Sequence, residues 1–172
     1  MLNLRNTIQA DIPTLQTLEA LAAQRFLAIP ELAILAHSEV TDSQRHKQSI
    51  IQRLSWLVED ARGRILGFCY AQELADSLYL AEISSHPAAR GMGIGHKLVA
   101  HVRKTAADRD LSGVTLTTYR DIPWNAPWYQ RQGFIVLEAS SLCSELRDIV
   151  QHQTALMLLP RCVMWSASHE KI

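Results

Sequence analysis

Three glycines fall within five positions in Arg90-Gly91-Met92-Gly93-Ile94-Gly95, followed by His96 and Lys97. Glycine lets a chain turn tightly with its amide N–H groups uncovered. A helical pattern begins at the same point, so the unpaired amides and the positive dipole end of a helix converge there. The natural guest of such a turn is a phosphate or pyrophosphate, with Arg90 and Lys97 adding charge. A tight turn with no ligand is the alternative. Two familiar glycine motifs do not fit. The dinucleotide fingerprint G-x-G-x-x-G meets His96 at its third glycine, and Val114 to Thr118 stand where its acidic residue belongs. The phosphate loop G-x-x-x-x-G-K-[ST] meets His96-Lys97-Leu98, which has neither the glycine nor the hydroxyl.

The elements around the turn follow from periodicity. Leu2 to Gln9 reads as a strand. Asp11 is an expected helix cap and Pro13 suits a first turn, with Leu15, Leu18, Leu21 and Ala22 at helical spacing until Ile29-Pro30. A second helix runs from about Thr41 to Leu54, capped by Thr41 or Asp42, with Ile50, Ile51 and Leu54 as its apolar residues. Ser55 to Val58, Ile65 to Ala71 and Leu78 to Ser85 read as three successive antiparallel strands. After the glycines, Ile94, Leu98, Val102 and Ala106 form one helix face, and Val114 to Tyr119 reads as a strand. A loop with Pro123 and Pro127 leads to a short helix from Trp128 to Gln132, ended by Gly133, then a strand from Phe134 to Leu137. Ser144 to Met157 reads as a helix and Arg161 to Trp165 as a last strand. The order is mixed α/β in a single domain spanning 1–172, antiparallel strands first and a βαβ crossover after them.

Bulk properties set bounds. The chain has 172 residues, enough for one proper core. Lysine plus arginine equals aspartate plus glutamate at 17 each, so no global field favours nucleic acid or a membrane surface. Cys69, Cys143 and Cys162 fit neither a CxxC pair nor a disulfide framework, and the histidines form no metal pattern. No apolar run approaches the ~20 residues of a membrane span, and no leader pattern is present, so a cytoplasmic protein without a metal is expected.

The pattern R-x-x-G-x-G, met by Arg90, Gly93 and Gly95, resembles motif A of the GNAT superfamily of N-acetyltransferases. Downstream, Trp128-Tyr129-Gln130-Arg131-Gln132-Gly133-Phe134 is similar to that superfamily's Y-x-x-x-G-F signature. The likeness is carried by residues 78–137, and Pro123-Trp124-Asn125-Ala126-Pro127 resembles the loop of one bacterial subgroup. It implies an α/β (α+β) GNAT fold: a mixed, mostly antiparallel sheet of six to seven strands with about four to five helices. It also implies an enzyme that uses acetyl-CoA as co-substrate, held by the Arg90–His96 turn and by backbone groups of Ile83, Ser84 and Ser85.

By the same resemblance Tyr129 protonates the departing thiolate. A phenol near pKa 10 is protonated at neutral pH and can donate to a thiolate whose acid has pKa about 8.5. The acceptor amine, near pKa 10.4, must lose a proton, and a carboxylate helps. Glu82 is the candidate base because it lies in an apolar strand, where a glutamate is costly unless paired or functional; a solvent-facing or salt-bridged Glu82 is the alternative. Superfamily members with a glutamate on the strand after the crossover differ here, since Thr117 occupies that place. Trp124, Asn125 and Trp128 either wall the acceptor pocket or serve as core and loop anchors. The superfamily asparagine seven residues before the tyrosine is replaced by Ile122. The expected reaction is acetyl transfer to a primary amine, on a small molecule or a peptide, by direct attack. The rivals are a non-catalytic acyl-CoA sensor and a nucleotide-binding protein. The last strand belongs either to the core or to a homodimer edge.

Overall fold

A computed structural model describes residues 1–154 and 158–168; the end of the expected helix at 155–157 lies outside the described residues. The chain falls into two compact units, one of Met1–Gln72 with Leu80–Val102, the other of Glu73–Tyr79 with the described residues from Arg103 on.

The first unit is built on strands β1 (Asn3–Asn6), β2 (Ser55–Glu59) and β3 (Ile65–Glu73), and on most of β4 (Ser77–Ser85). β1 pairs antiparallel with β2 through Leu4↔Val58, and β2 with β3 through Trp56↔Cys69. Consecutive residues Trp56, Leu57 and Val58 of β2 are all buried, so the strand is covered on both faces of the sheet. Helix α1 (Ile12–Ala23) buries Ile12, Leu15 and Leu18, three residues apart along one stripe. Leu15 and Leu18 meet Leu57, Phe68 and Tyr70, with Ile65 and Ala81 at the margin.

Two local expectations change. Asp11 precedes α1 but makes no side-chain cap there; its carboxylate instead accepts from the Ile8 amide at 2.9 Å and from Arg5 at 2.8 and 3.0 Å. The charge of Arg5 is worth more to that carboxylate than one amide of the helix end. Helix α2 (Ser43–Ile51) is capped by Asp42, which accepts from the Arg45 amide at 2.8 Å. Its inward residues are His46 and Ser49, whereas Ile51, two positions (about 200°) round the helix from Ser49, is 82% exposed.

The second unit contains the start of β4, then β5 (Gly113–Tyr119), β6 (Ile135–Val136) and β7 (Arg161–Ala167). β4 and β5 run parallel from Ser77↔Gly113 to Tyr79↔Thr115, joined through helix α3 (Ile94–Asp108) as the crossover reading expects. β7 pairs antiparallel with β5 on one side and with β6 on the other, which makes it an interior strand. Gly113 is required there, since a Cβ would run into the Ser166 carbonyl and the Trp165 indole. Helices α4 (Ala126–Arg131) and α5 (Ser144–Thr154) are the remaining α-helices among the described residues. Hydrogen-bonded order is β1-β2-β3-β4 in the first unit and β4-β5-β7-β6 in the second, seven strands with β4 shared. The expected mixed fold with six to seven strands is what the chain adopts. Among the described residues no helix is long and apolar enough to cross a membrane.

His46 is 0% exposed, with its ring 5.7 Å from those of Phe68 and Tyr70 and neither ring nitrogen hydrogen-bonded among the described residues. Burial lowers its pKa, opposed by Asp42. The unfolded chain therefore binds the proton first, and stability falls as pH drops below the ordinary histidine value of about 6.5. His46→Leu should remove up to about 1.4 kcal/mol per pH unit of that slope between pH 6 and 5. Urea unfolding of both proteins across this range measures it; equal slopes would assign the acid sensitivity to other groups.

Candidate active site

β4 ends at Ser85, and the chain turns through a short 3-10 stretch, Pro87–Ala89. His86 closes this turn, its Nδ1 accepting from the Ala88 amide at 3.1 Å. Gly91 and Gly93 then adopt φ of +80° and +76°, in the left-handed region that L side chains rarely occupy. The Lys97 amide donates to the Gly93 carbonyl at 3.0 Å, so the glycine turn runs straight into the first turn of α3. Ala89 and Ile94 are buried on either side, while Arg90 to Gly93 are exposed. The loop is thus pinned at both ends with its backbone outward, and the first-turn amides of α3 add donors at its edge.

Two features of this turn are not legible as motifs. Gly67 of β3 lies beneath Ile94: a Cβ there would stand 2.5 Å from Ile94 Cγ2 and 3.0 Å from the Ser84 carbonyl oxygen. Arg25 also reaches this neighbourhood, since burial first and the Arg90 guanidinium second lower its pKa.

Glu82 stands on β4, half-buried, and accepts from Ser84 Oγ at 2.7 Å. Burial, followed by the like charge of Glu19, raises its pKa to about 7, against the opposing pull of Ser84 and the Ile83 amide. Glu19 comes from α1 and is itself raised by burial. Both its oxygens accept from the Thr41 amide at 3.1 Å, and Thr41 Oγ1 donates at 3.2 Å. Thr41 Oγ1 also lies 3.5 Å from the Tyr70 hydroxyl, whose pKa is raised chiefly by burial and further by Glu82. Glu19, Thr41 and Tyr70 carry no sequence signal, because they come from a helix, a loop and a strand far apart along the chain. Cys69 beside them is buried and its thiol is pushed far up, so it is a neutral neighbour and no nucleophile.

The remaining site residues named from the sequence fall on the second unit. The Asn125 carbonyl accepts from the Trp128 and Tyr129 amides at 2.9 and 3.0 Å and starts α4. Its side-chain amide donates to Thr118 Oγ1 at 2.8 Å, tying the loop to β5. Tyr129 is 7% exposed, edge-on to Trp128 at 4.9 Å and to Phe134 at 5.5 Å. Gly133, at φ +85°, ends the helix and lets the Phe134 amide reach the Tyr129 carbonyl at 3.1 Å. Arg103 holds the same corner by lying 4.8 Å over the Phe134 ring and donating to the Gln132 carbonyl. Trp124 and Trp128 are both half-buried. Thr117 is engaged by the Tyr79 hydroxyl at 3.0 Å and by Arg161. Among the described residues no three His, Cys, Asp or Glu side chains gather as a metal site.

The turn permits a separation of backbone from steric effects. Space around a Cβ at Gly93 is open, so the cost of substitution is conformational. Gly93→Ala should lower stability by about 1 kcal/mol through the left-handed backbone alone. Thermal unfolding beside the wild type checks this, and an unchanged transition would show that the turn carries no such cost.

Comparison with known proteins bears on this geometry. Residues 52–136 match the family model described as "Acetyltransferase (GNAT) domain". That span holds β2 to β6, with Glu82, the glycine turn and Tyr129. An acetyltransferase of the GNAT family from Staphylococcus aureus is similar in structure at TM-score 0.72 and 15% identity, over 98% of this chain and 100% of that one. The PaiA N-acetyltransferase from Thermoplasma acidophilum, solved in complex with coenzyme A, gives TM-score 0.71 and 14% identity over 97% and 99%. The ribosomal-protein-S18-alanine N-acetyltransferase from Escherichia coli gives 0.68 and 15% over 99% and 96%. The chain thus has the fold of GNAT acetyltransferases, and its residues 52–136 match that family's domain.

Proposed function

We propose that this protein moves the acetyl group of acetyl-CoA to a primary amine, on a small molecule or a peptide, by direct attack. The observation that carries the reading is the exposed left-handed turn at Gly91 and Gly93 running into α3, inside the segment that matches the GNAT domain. The turn, Arg90 to His96, takes the pyrophosphate of the cofactor, and the β4 backbone at Ile83, Ser84 and Ser85 aligns its pantetheine arm. A backbone amide there polarises the thioester carbonyl as negative charge develops on oxygen. The amine nitrogen attacks that carbon, the amide bond forms, and the C–S bond breaks.

Glu82 takes the proton of the amine, directly or through water, and Tyr129 gives one to the thiolate. Each proton and electron pair is then accounted for without a covalent enzyme intermediate. A carboxyl raised to about 7 holds half its population as base at neutral pH, close to the best match for this task. Trp124, Asn125 and Trp128 wall the acceptor.

Tyr129→Phe should lower turnover roughly 100-fold while leaving acetyl-CoA affinity nearly intact. Thiol release and calorimetry read the two quantities, and unchanged turnover would remove Tyr129 from the reaction. Glu82 acts when deprotonated, so the wild-type rate should climb as pH rises through about 7 and then level. Glu82→Gln should abolish that rise, whereas an identical profile would count against Glu82 as base. Tight acetyl-CoA binding with no thiol release over a broad amine panel would favour a sensor. Preference for ATP over acetyl-CoA would refute the reading.

A further inference from the structure

The end of β5 and the start of β7 meet at the pair Tyr119↔Arg161, and the Arg120 amide donates to the Pro160 carbonyl at 2.9 Å just beyond it. Arg120, Leu158, Leu159, Pro160 and Arg161 line a cavity of about 440 Å³ at this place, open to solvent. None of these residues has a part in the reaction above.

Arg161 is held in position by the protein. One terminal nitrogen donates to the Thr117 carbonyl and to Thr117 Oγ1, each at 3.2 Å, and the guanidinium lies 4.6 Å over the Tyr119 ring. Thr117 Oγ1 is fixed in turn by the Tyr79 hydroxyl at 3.0 Å, to which Gln153 donates at 3.2 Å. Yet Arg161 Nε is buried with no hydrogen-bond partner among the described residues. Among the described residues neither Arg120 nor Arg161 forms an ion pair with a carboxylate.

We propose that this cavity binds a carboxylate carried on a short alkyl chain, with the Arg161 fork as its partner, Arg120 as the second cation, and Leu158, Leu159 and Pro160 against the chain. A planar carboxylate offers two acceptors in the geometry of a guanidinium fork, and the apolar walls suit an alkyl body better than a bare inorganic anion. The site stands on its own residues and holds whether or not the chain transfers acetyl groups.

Calorimetric titration of the whole chain with hexanoate, hexanol, hexylamine and inorganic phosphate tests it. Hexanoate should bind and exceed the other three. Arg161→Lys keeps the charge but loses the fork, and Arg120→Gln removes an exposed cation; each should weaken hexanoate by about tenfold or more. Thermal unfolding of Arg120→Gln, whose side chain is on the surface, should match wild type. Absence of hexanoate binding in the millimolar range, hexanol binding as tightly, phosphate binding more tightly, or affinity unchanged in both variants would each overturn the assignment.

Discussion

The contact between Ile94 and the bare backbone of Gly67 sets the geometry of the glycine turn and the start of α3. Burying Ile94 pulls the first turn of α3 down onto β3 and the end of β4, and a methyl at Gly67 would push it away. With Ala89 buried before the turn and Ile94 buried after it, the intervening residues have no apolar anchor and stay outside. The left-handed glycines then aim peptide groups at solvent. Hydrophobic burial positions an exposed loop, and the loop's own residues supply only the permission to turn.

Electrostatics around Glu82 shows a contest with a clear outcome. Ser84 donates to the carboxylate and the Ile83 amide also favours its charged form, which alone would lower the pKa. Burial and the like charge of Glu19 act the other way and prevail. Glu19 in turn is kept in place by three contacts from Thr41, which is anchored beside Tyr70. The raised value therefore belongs to a packed arrangement of α1, the Thr41 loop and two strands.

In the second unit, β7 plays the organising role. Lying between β5 and β6, it fixes both the strand that Asn125 grips through Thr118 and the strand that follows Phe134. The aromatic corner of Trp128, Tyr129 and Phe134 depends on Gly133, whose positive φ turns the chain back upon Tyr129.

Much was legible in the order of residues. The glycine turn, the strand before it, the helix after it and the Tyr129 helix follow from local chemistry: backbone freedom, 3.6-residue periodicity and β-branched runs. Such signals act within a few residues, and their boundaries held to within a turn. Where they failed, a partner remote in sequence won, as when Arg5 drew Asp11 away from the helix end or when α2 turned His46 inward in place of Ile51. Glu19, Arg25, Thr41 and Gly67 were invisible because their roles consist of proximity alone. By itself the sequence determined which backbone could turn, which segments alternate or spiral, and which side chains are able to exchange protons. Tertiary structure decided which of those side chains share a dielectric and a charge environment, since burial and Coulomb interaction depend on distance through space and not along the chain.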